Sequence, residues 1–207
     1  MLFANDSSNQ KIRPTKDKKA EGFCPSCKES LIQKCGNEKI WHWAHHSDKD
    51  CDSWYQPETE WHLGWKTLFP MEFIETPITK SGKKHRADMF NPVIPVTVEF
   101  QHSPLSVEEK IERETFYTNL IWVIHVNFDD DEKEVEFFRN ECVEWISGKR
   151  KWVVTLMNGS VRYFLDDESS LLYEIRPYGR YKGKYYYDAL LKSDFVKIFG
   201  WTGGNLK

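Results

Sequence analysis

The chain has 207 residues, 40% hydrophobic and 15% aromatic with nine tryptophans, enough apolar material for a sizeable core, and this excludes global disorder. Twenty-nine lysines and arginines against 32 acidic residues leave a net charge of −3, so the uniform basic footprint of a dedicated nucleic-acid binder is absent; such a contact requires charges segregated onto one face. No apolar run reaches the ~18 residues of a membrane span, and MLFANDSSNQ lacks a basic segment followed by an apolar one, so a cytoplasmic protein without a secretory leader is expected.

Residues 1–22 are polar and Lys-rich, with room for a short strand near Met1–Ala4. Four of the five cysteines then fall between Cys24 and Cys51, with three of the seven histidines. In a reducing compartment such clusters bind metal more often than they form disulfides. Cys24-x2-Cys27 puts two thiolates on one tight turn, and Gly36-Asn37 lets the chain fold back to bring a second pair. Cys24 and Cys27 are the firm ligands. His42, His45 and Cys51 compete for the other two places, with His45 and Cys51 preferred and His42 next, while Cys35 stands aside. Thiolate-rich sets of four are closed and structural, so zinc is expected as a clip and the chemistry has to lie elsewhere.

PETEWHLGWKTLF reads as a helix from Pro57 to Phe69, with Pro57 in its first turn. At ~100° per residue, Trp61, Trp65, Leu68 and Phe69 form an apolar stripe. Glu58 and His62 fall at its edge, Lys66 lies a turn on, and Glu60 and Thr67 face solvent. MEFIETPIT, HRADMF and VIPVTVEF are strand-like, the last two joined by the turn NPVIP. Alternation puts Glu99 and Gln101 on one face of their strand, opposite Val98 and Phe100. Asp88, on the preceding strand, can sit across from Glu99. A carboxylate within an apolar strand is costly unless it is paired or binds metal, and two of them make a hard oxygen site suited to Mg²⁺ or Mn²⁺.

A second helix follows, with Ser106 as N-cap and Glu109 three residues on. LIWVIHV is a buried central strand, and DDDEKEVEFFRNECVEWISG is expected to open acidic and become a helix carrying Cys142 and ending at Gly148. A hairpin turning at Asn158-Gly159 comes next. The stretch RPYGRYKGKYYY interleaves Arg176, Arg180, Lys182 and Lys184 with tyrosines, which suits either an aromatic hairpin or single-stranded nucleic acid. The expectation is a mixed α/β (α+β) fold: a zinc module over 1–54, a core over 55–148 and a β-rich extension over 149–207.

The order helix-Glu, Asp, Glu-x-Gln resembles the PD-(D/E)XK nuclease fold. FCPSCKESLIQKCG, HWAH, ETEWHLGWK, RADMF and VTVEFQHSPLS, with the helix from Arg113 to Tyr117, resemble the CoiA-like competence proteins from Cys24 to about Trp122. The resemblance implies a restriction-endonuclease-like core behind a zinc-finger-like segment and hydrolysis of DNA phosphodiesters. Asp88 and Glu99 would hold Mg²⁺ or Mn²⁺. Glu58 would complete the metal shell or orient a water, with His62 beside it, and Gln101 stands where the superfamily has lysine. Lys66, Arg86 or Lys84 would supply that missing charge, and Arg113 would touch a phosphate or pin the site carboxylates. The alternative is a nuclease fold that binds or recruits DNA without cutting, in uptake, recombination or defence. Either leaves room for a protein partner or a second copy of the chain.

Overall fold

In the computed structural model, residues 1–17, 19–47, 51–127, 135–138, 142–145, 153, 160–181 and 184–203 are described, and they fall into two compact units, Met1–Phe90 and Asn91–Lys207. The fold is mixed α/β with sheets dominating. Among the described residues no helix is long and apolar enough to cross a membrane.

The first unit opens with five short strands, β1 (Ala4–Asn5), β2 (Lys11–Ile12), β3 (Gly22–Phe23), β4 (Ser30–Lys34) and β5 (His42–Ala44), paired antiparallel in the order β2-β1-β3-β4-β5. Met1, Ala4, Cys24, Leu31 and Trp43 form a small core, joined at its edge by Ile12. Gly22 is required there: a Cβ would lie 2.6 Å from the Trp43 ring and 2.8 Å from the Ala4 methyl, closer than atoms can pack.

Helix α1 (Glu60–Lys66) is shorter than the expected Pro57–Phe69. Thr59 sits in an extended conformation and its hydroxyl accepts from the His62 amide, so the N-cap falls there and Pro57 and Glu58 precede the helix. The expected stripe is also corrected. Trp65 and Phe69 are buried, but Leu68 is half exposed and Lys66 takes the inward place. After a turn of 3-10 helix at Met71–Phe73 come β6 (Ile74–Lys80) and β7 (Lys83–Asn91), an antiparallel hairpin. Its two-residue loop, Ser81-Gly82, has both φ angles positive, the type I′ geometry whose twist matches the strands.

The second unit contains β8 (Val96–Gln101), α2 (Val107–Phe116), β9 (Leu120–His125), β10 (Val135–Phe138), β11 (Cys142–Trp145), β12 (Arg162–Asp166), β13 (Leu171–Tyr181), β14 (Lys184–Leu191) and α3 (Lys192–Phe199). Its strands run in the order β10-β11-β14-β13-β12-β9-β8. The pairs β8–β9 and β9–β12 are parallel, and the others are antiparallel. As expected, LIWVIHV supplies an interior strand, β9, buried from Leu120 to Ile124. Ser106 caps α2 by accepting from the Glu109 amide at 3.0 Å.

The helix expected toward Gly148 is a hairpin instead, with Val135 opposite Trp145 and Phe138 opposite Cys142. VEFF and CVEW alternate at period two and are β-branched and aromatic, and sheet pairing wins over the helical pattern. Cys142 is accordingly a strand residue. The acidic run 129–132 and the Asn158-Gly159 turn lie outside the described residues. The tyrosine-rich tail is the long β13–β14 hairpin, where Arg176 pairs with Asp188 and the rings of Tyr173 and Tyr187 meet edge to face.

Candidate metal centre and carboxylate cluster

Cys24 and Cys27 lie in the knuckle between β3 and β4, His45 follows β5, and Cys51 comes from the next loop. Their four ligand atoms all lie within 4.8 Å of one another. The Cys24 and Cys51 sulfurs are 3.6 Å apart and Cys27 Sγ is 3.3 Å from His45 Nε2. A sulfur–sulfur bond is only ~2.05 Å long, so this is no disulfide. Zinc–sulfur bonds of ~2.3 Å in a tetrahedron put sulfurs about 3.8 Å apart, which the 3.6 Å separation meets. Burial and the neighbouring thiols push the Cys51 thiol well up. The residues present thus fit zinc, and they would hold it as a closed Cys3His set. His42 is not among them: its Nδ1 is 2.8 Å from the Ile40 carbonyl. Cys35 stands aside as expected, its thiol donating to the Thr15 carbonyl.

The first unit holds a second cluster, centred on a lysine. Lys66 is buried, and its Nζ lies 2.7 Å from Glu58 Oε1, 2.9 Å from Asp88 Oδ1 and 3.4 Å from Glu75 Oε1. Glu75 is opposite Asp88 in the hairpin register that pairs Ile74 with Met89 and Thr76 with Ala87, so one ammonium reaches both strands. Glu75 also accepts the Leu2 and Phe3 amides at 2.8 and 3.0 Å, anchoring the first strand. Its φ of +51° is costly for a residue with a side chain. The three ionic and hydrogen-bonding partners over-determine that conformation.

Burial alone would lower the Lys66 pKa, but Asp88, Glu58 and Glu75 hold it well above the usual lysine range, so it stays charged. Burial alone would raise Glu75, but Lys66 and Arg86 outweigh it and keep it ionised. Glu58 goes the other way: burial and the Glu75 and Asp88 charges raise it despite Lys66. Its Oε2 is buried without a hydrogen-bond partner. Glu58 also lines a cavity of about 460 Å³ with His42, Tyr55 and Lys39. His62 does not bond Glu58; its Nδ1 is 2.8 Å from Thr59 Oγ1. Arg86 lies 5.9 Å from the centre of the Tyr55 ring, and Lys84 Nζ donates to the Ser26 carbonyl.

Glu99 and Gln101 belong to the second unit. Arg113 on α2 gives Glu99 Oε2 a 2.9 Å bond and Glu109 Oε1 one of 2.6 Å. Glu99, Trp122 and Tyr163 form a row across the parallel strands β8, β9 and β12. Over that row α2 is polar: Glu114 accepts from Trp122 Nε1 and the Tyr163 hydroxyl, and pairs with fully buried Lys110. The Gln101 amide donates to the Ser103 carbonyl at 2.5 Å.

Sequence reasoning missed Glu75. The signal was present, since Glu75 interrupts an apolar strand run just as Glu99 does.

Residues 4–53 match the family model described as competence protein CoiA, N-terminal domain. No curated protein and no solved structure matches the chain. The matched segment contains the five short strands, Cys24, Cys27, His45 and Cys51, and so bears out the resemblance read from FCPSCKESLIQKCG and HWAH. Over residues 4–53 the chain is thus similar to the N-terminal domain of the competence protein CoiA family.

Proposed function

We propose that the protein is a divalent-metal-dependent nuclease acting on DNA, with zinc as a structural clip. The observation that carries the reading is the gathering of Glu58, Glu75 and Asp88 around the buried Lys66, Glu75 buried with it and the other two partly exposed. A carboxylate and a lysine are costly to bury, and such groups concentrate where charge is handled. The unpartnered Glu58 Oε2 fits a hard cation or a proton. When bound, Mg²⁺ or Mn²⁺ would acidify a water and neutralise a phosphate oxygen. Asp88 would supply a carboxylate to the metal, as the resemblance implies. Glu58, with its raised pKa, holds or releases a proton at Oε2, the property a general acid or base needs. Lys66 supplies the fixed positive charge that Gln101 cannot.

A specific observation also favours the second reading, a nuclease-type fold that binds DNA without cutting. Asp88 and Glu99 are each already paired to a protein cation, Lys66 and Arg113. The readings separate on metal binding. A nuclease predicts a rise in melting temperature with Mg²⁺ or Mn²⁺ in the zinc-loaded protein, by mass action, and Asp88→Asn removes it. A melting temperature unmoved by either ion would favour the non-cutting module.

A further inference from the structure

We infer that Asp52 is a positioning residue that ties the metal cluster to strand β7, so that metal loading of Cys24, Cys27, His45 and Cys51 holds the strand that carries Asp88. Asp52 directly follows the ligand Cys51 and is buried. Its Oδ2 accepts from the Arg86 amide at 2.6 Å, and its Oδ1 is 2.9 Å from His85 Nδ1. Oδ1 also accepts from the Trp54 amide at 3.0 Å, which fixes the loop beyond the ligand. The Trp54 ring then lies flat on His85, with centroids 3.3 Å apart and planes 10° from parallel. A second tie starts from the other ligand pair: Lys84 donates to the carbonyl of Ser26, between Cys24 and Cys27.

Alternation along β7 places these ties on both faces. His85, Ala87 and Met89 are buried on one face, and Asp88 projects from the other. His85 meets Asp52 and Trp54 from the buried face, and Lys84, on the same face as Asp88, reaches the Ser26 carbonyl. The loops that carry the metal ligands therefore hold, from both faces, the strand whose Asp88 meets Lys66 at 2.9 Å. A carboxylate that accepts a backbone amide and a ring N–H in a buried site is rigid in a way that apolar packing is not. This inference rests on the metal-binding reading of the cysteine cluster and is independent of nuclease activity.

The test is hydrogen–deuterium exchange by mass spectrometry on the full chain, loaded with one zinc or stripped by chelator. In the wild type, zinc protects the peptide spanning Lys83–Asn91, and stripping raises its exchange. Asp52→Ala leaves all four ligands in place and still binds zinc in a chelator competition. Its loaded form nevertheless exchanges at Arg86 roughly tenfold faster or more, the effect of losing a charge-assisted amide bond. If Asp52→Ala fails to fold by circular dichroism, Asp52→Asn is read in the same way, since it keeps the volume and sets an amide against the Arg86 N–H. Protection of Lys83–Asn91 that is indifferent to zinc in the wild type overturns the inference, as does zinc-dependent protection that survives in the Asp52 variant.

Discussion

Lys66 is the residue on which the first unit's buried charge depends. Replacing it by methionine removes the one ammonium that Glu58, Glu75 and Asp88 share, and breaking a buried ionic set costs about 3–5 kcal/mol. Urea denaturation of Lys66→Met should show that loss. Glu58 gives a pH-dependent prediction. Its folded-state pKa is raised above the ordinary 4.5, so the folded chain holds this proton more tightly than the unfolded one. Stability is therefore lost as pH rises from that value through the raised one. Glu58→Gln removes this titration, so thermal melts should show the variant gaining on the wild type across that window and then holding level. What the sequence made legible at this scale follows one rule, that a charge inside an apolar run needs a reason. The rule points to Glu99 and to Lys66's neighbour Asp88, and it points equally to Glu75. The partners themselves are not legible: Lys66 comes from α1 and meets Glu75 and Asp88 side by side on a hairpin whose register a single sequence does not display.

Among the elements, the metal knuckle was the most legible because ligand chemistry restricts spacing. Cys24-x2-Cys27 is named outright by its spacing, whereas settling His45 and Cys51 over His42 requires knowing which end of β5 each histidine occupies and where the next loop brings Cys51. His45→Ala should reduce zinc content well below one per chain while His42→Ala leaves it near one, by atomic absorption after dialysis. The hairpin β10–β11 was misread as a helix because a short apolar run with charges at intervals of three to four fits both periods. Helix α2 was placed correctly, but its polar underside was invisible, since Lys110 and Glu114 resemble an ordinary surface pair in sequence. In the structure Lys110 is fully buried against Glu114. Glu114→Ala removes the carboxylate that faces buried Lys110 and the acceptor shared by Trp122 and Tyr163. A loss of about 3–5 kcal/mol is expected in chemical denaturation, against a few tenths for an exposed i,i+4 pair.

At the scale of the whole molecule, sequence and structure agree on a mixed α/β chain with a Cys/His cluster near its start, and the structure adds that sheets dominate. The family match covers residues 4–53, so the activity proposed for the rest of the chain stands on its carboxylates. The most direct measurement is cleavage of supercoiled plasmid, linear duplex and single-stranded DNA by the zinc-loaded protein, with Mg²⁺, with Mn²⁺ and with EDTA. Wild type, Asp88→Asn and Glu99→Ala are run side by side, each checked for zinc content and melting temperature. The proposed nuclease cuts at least one DNA form with Mg²⁺ or Mn²⁺ and not with EDTA, and both variants lose the cutting while keeping their zinc. A zinc-loaded wild type that leaves every form intact, or an Asp88→Asn variant that cuts as well as wild type, would contradict it.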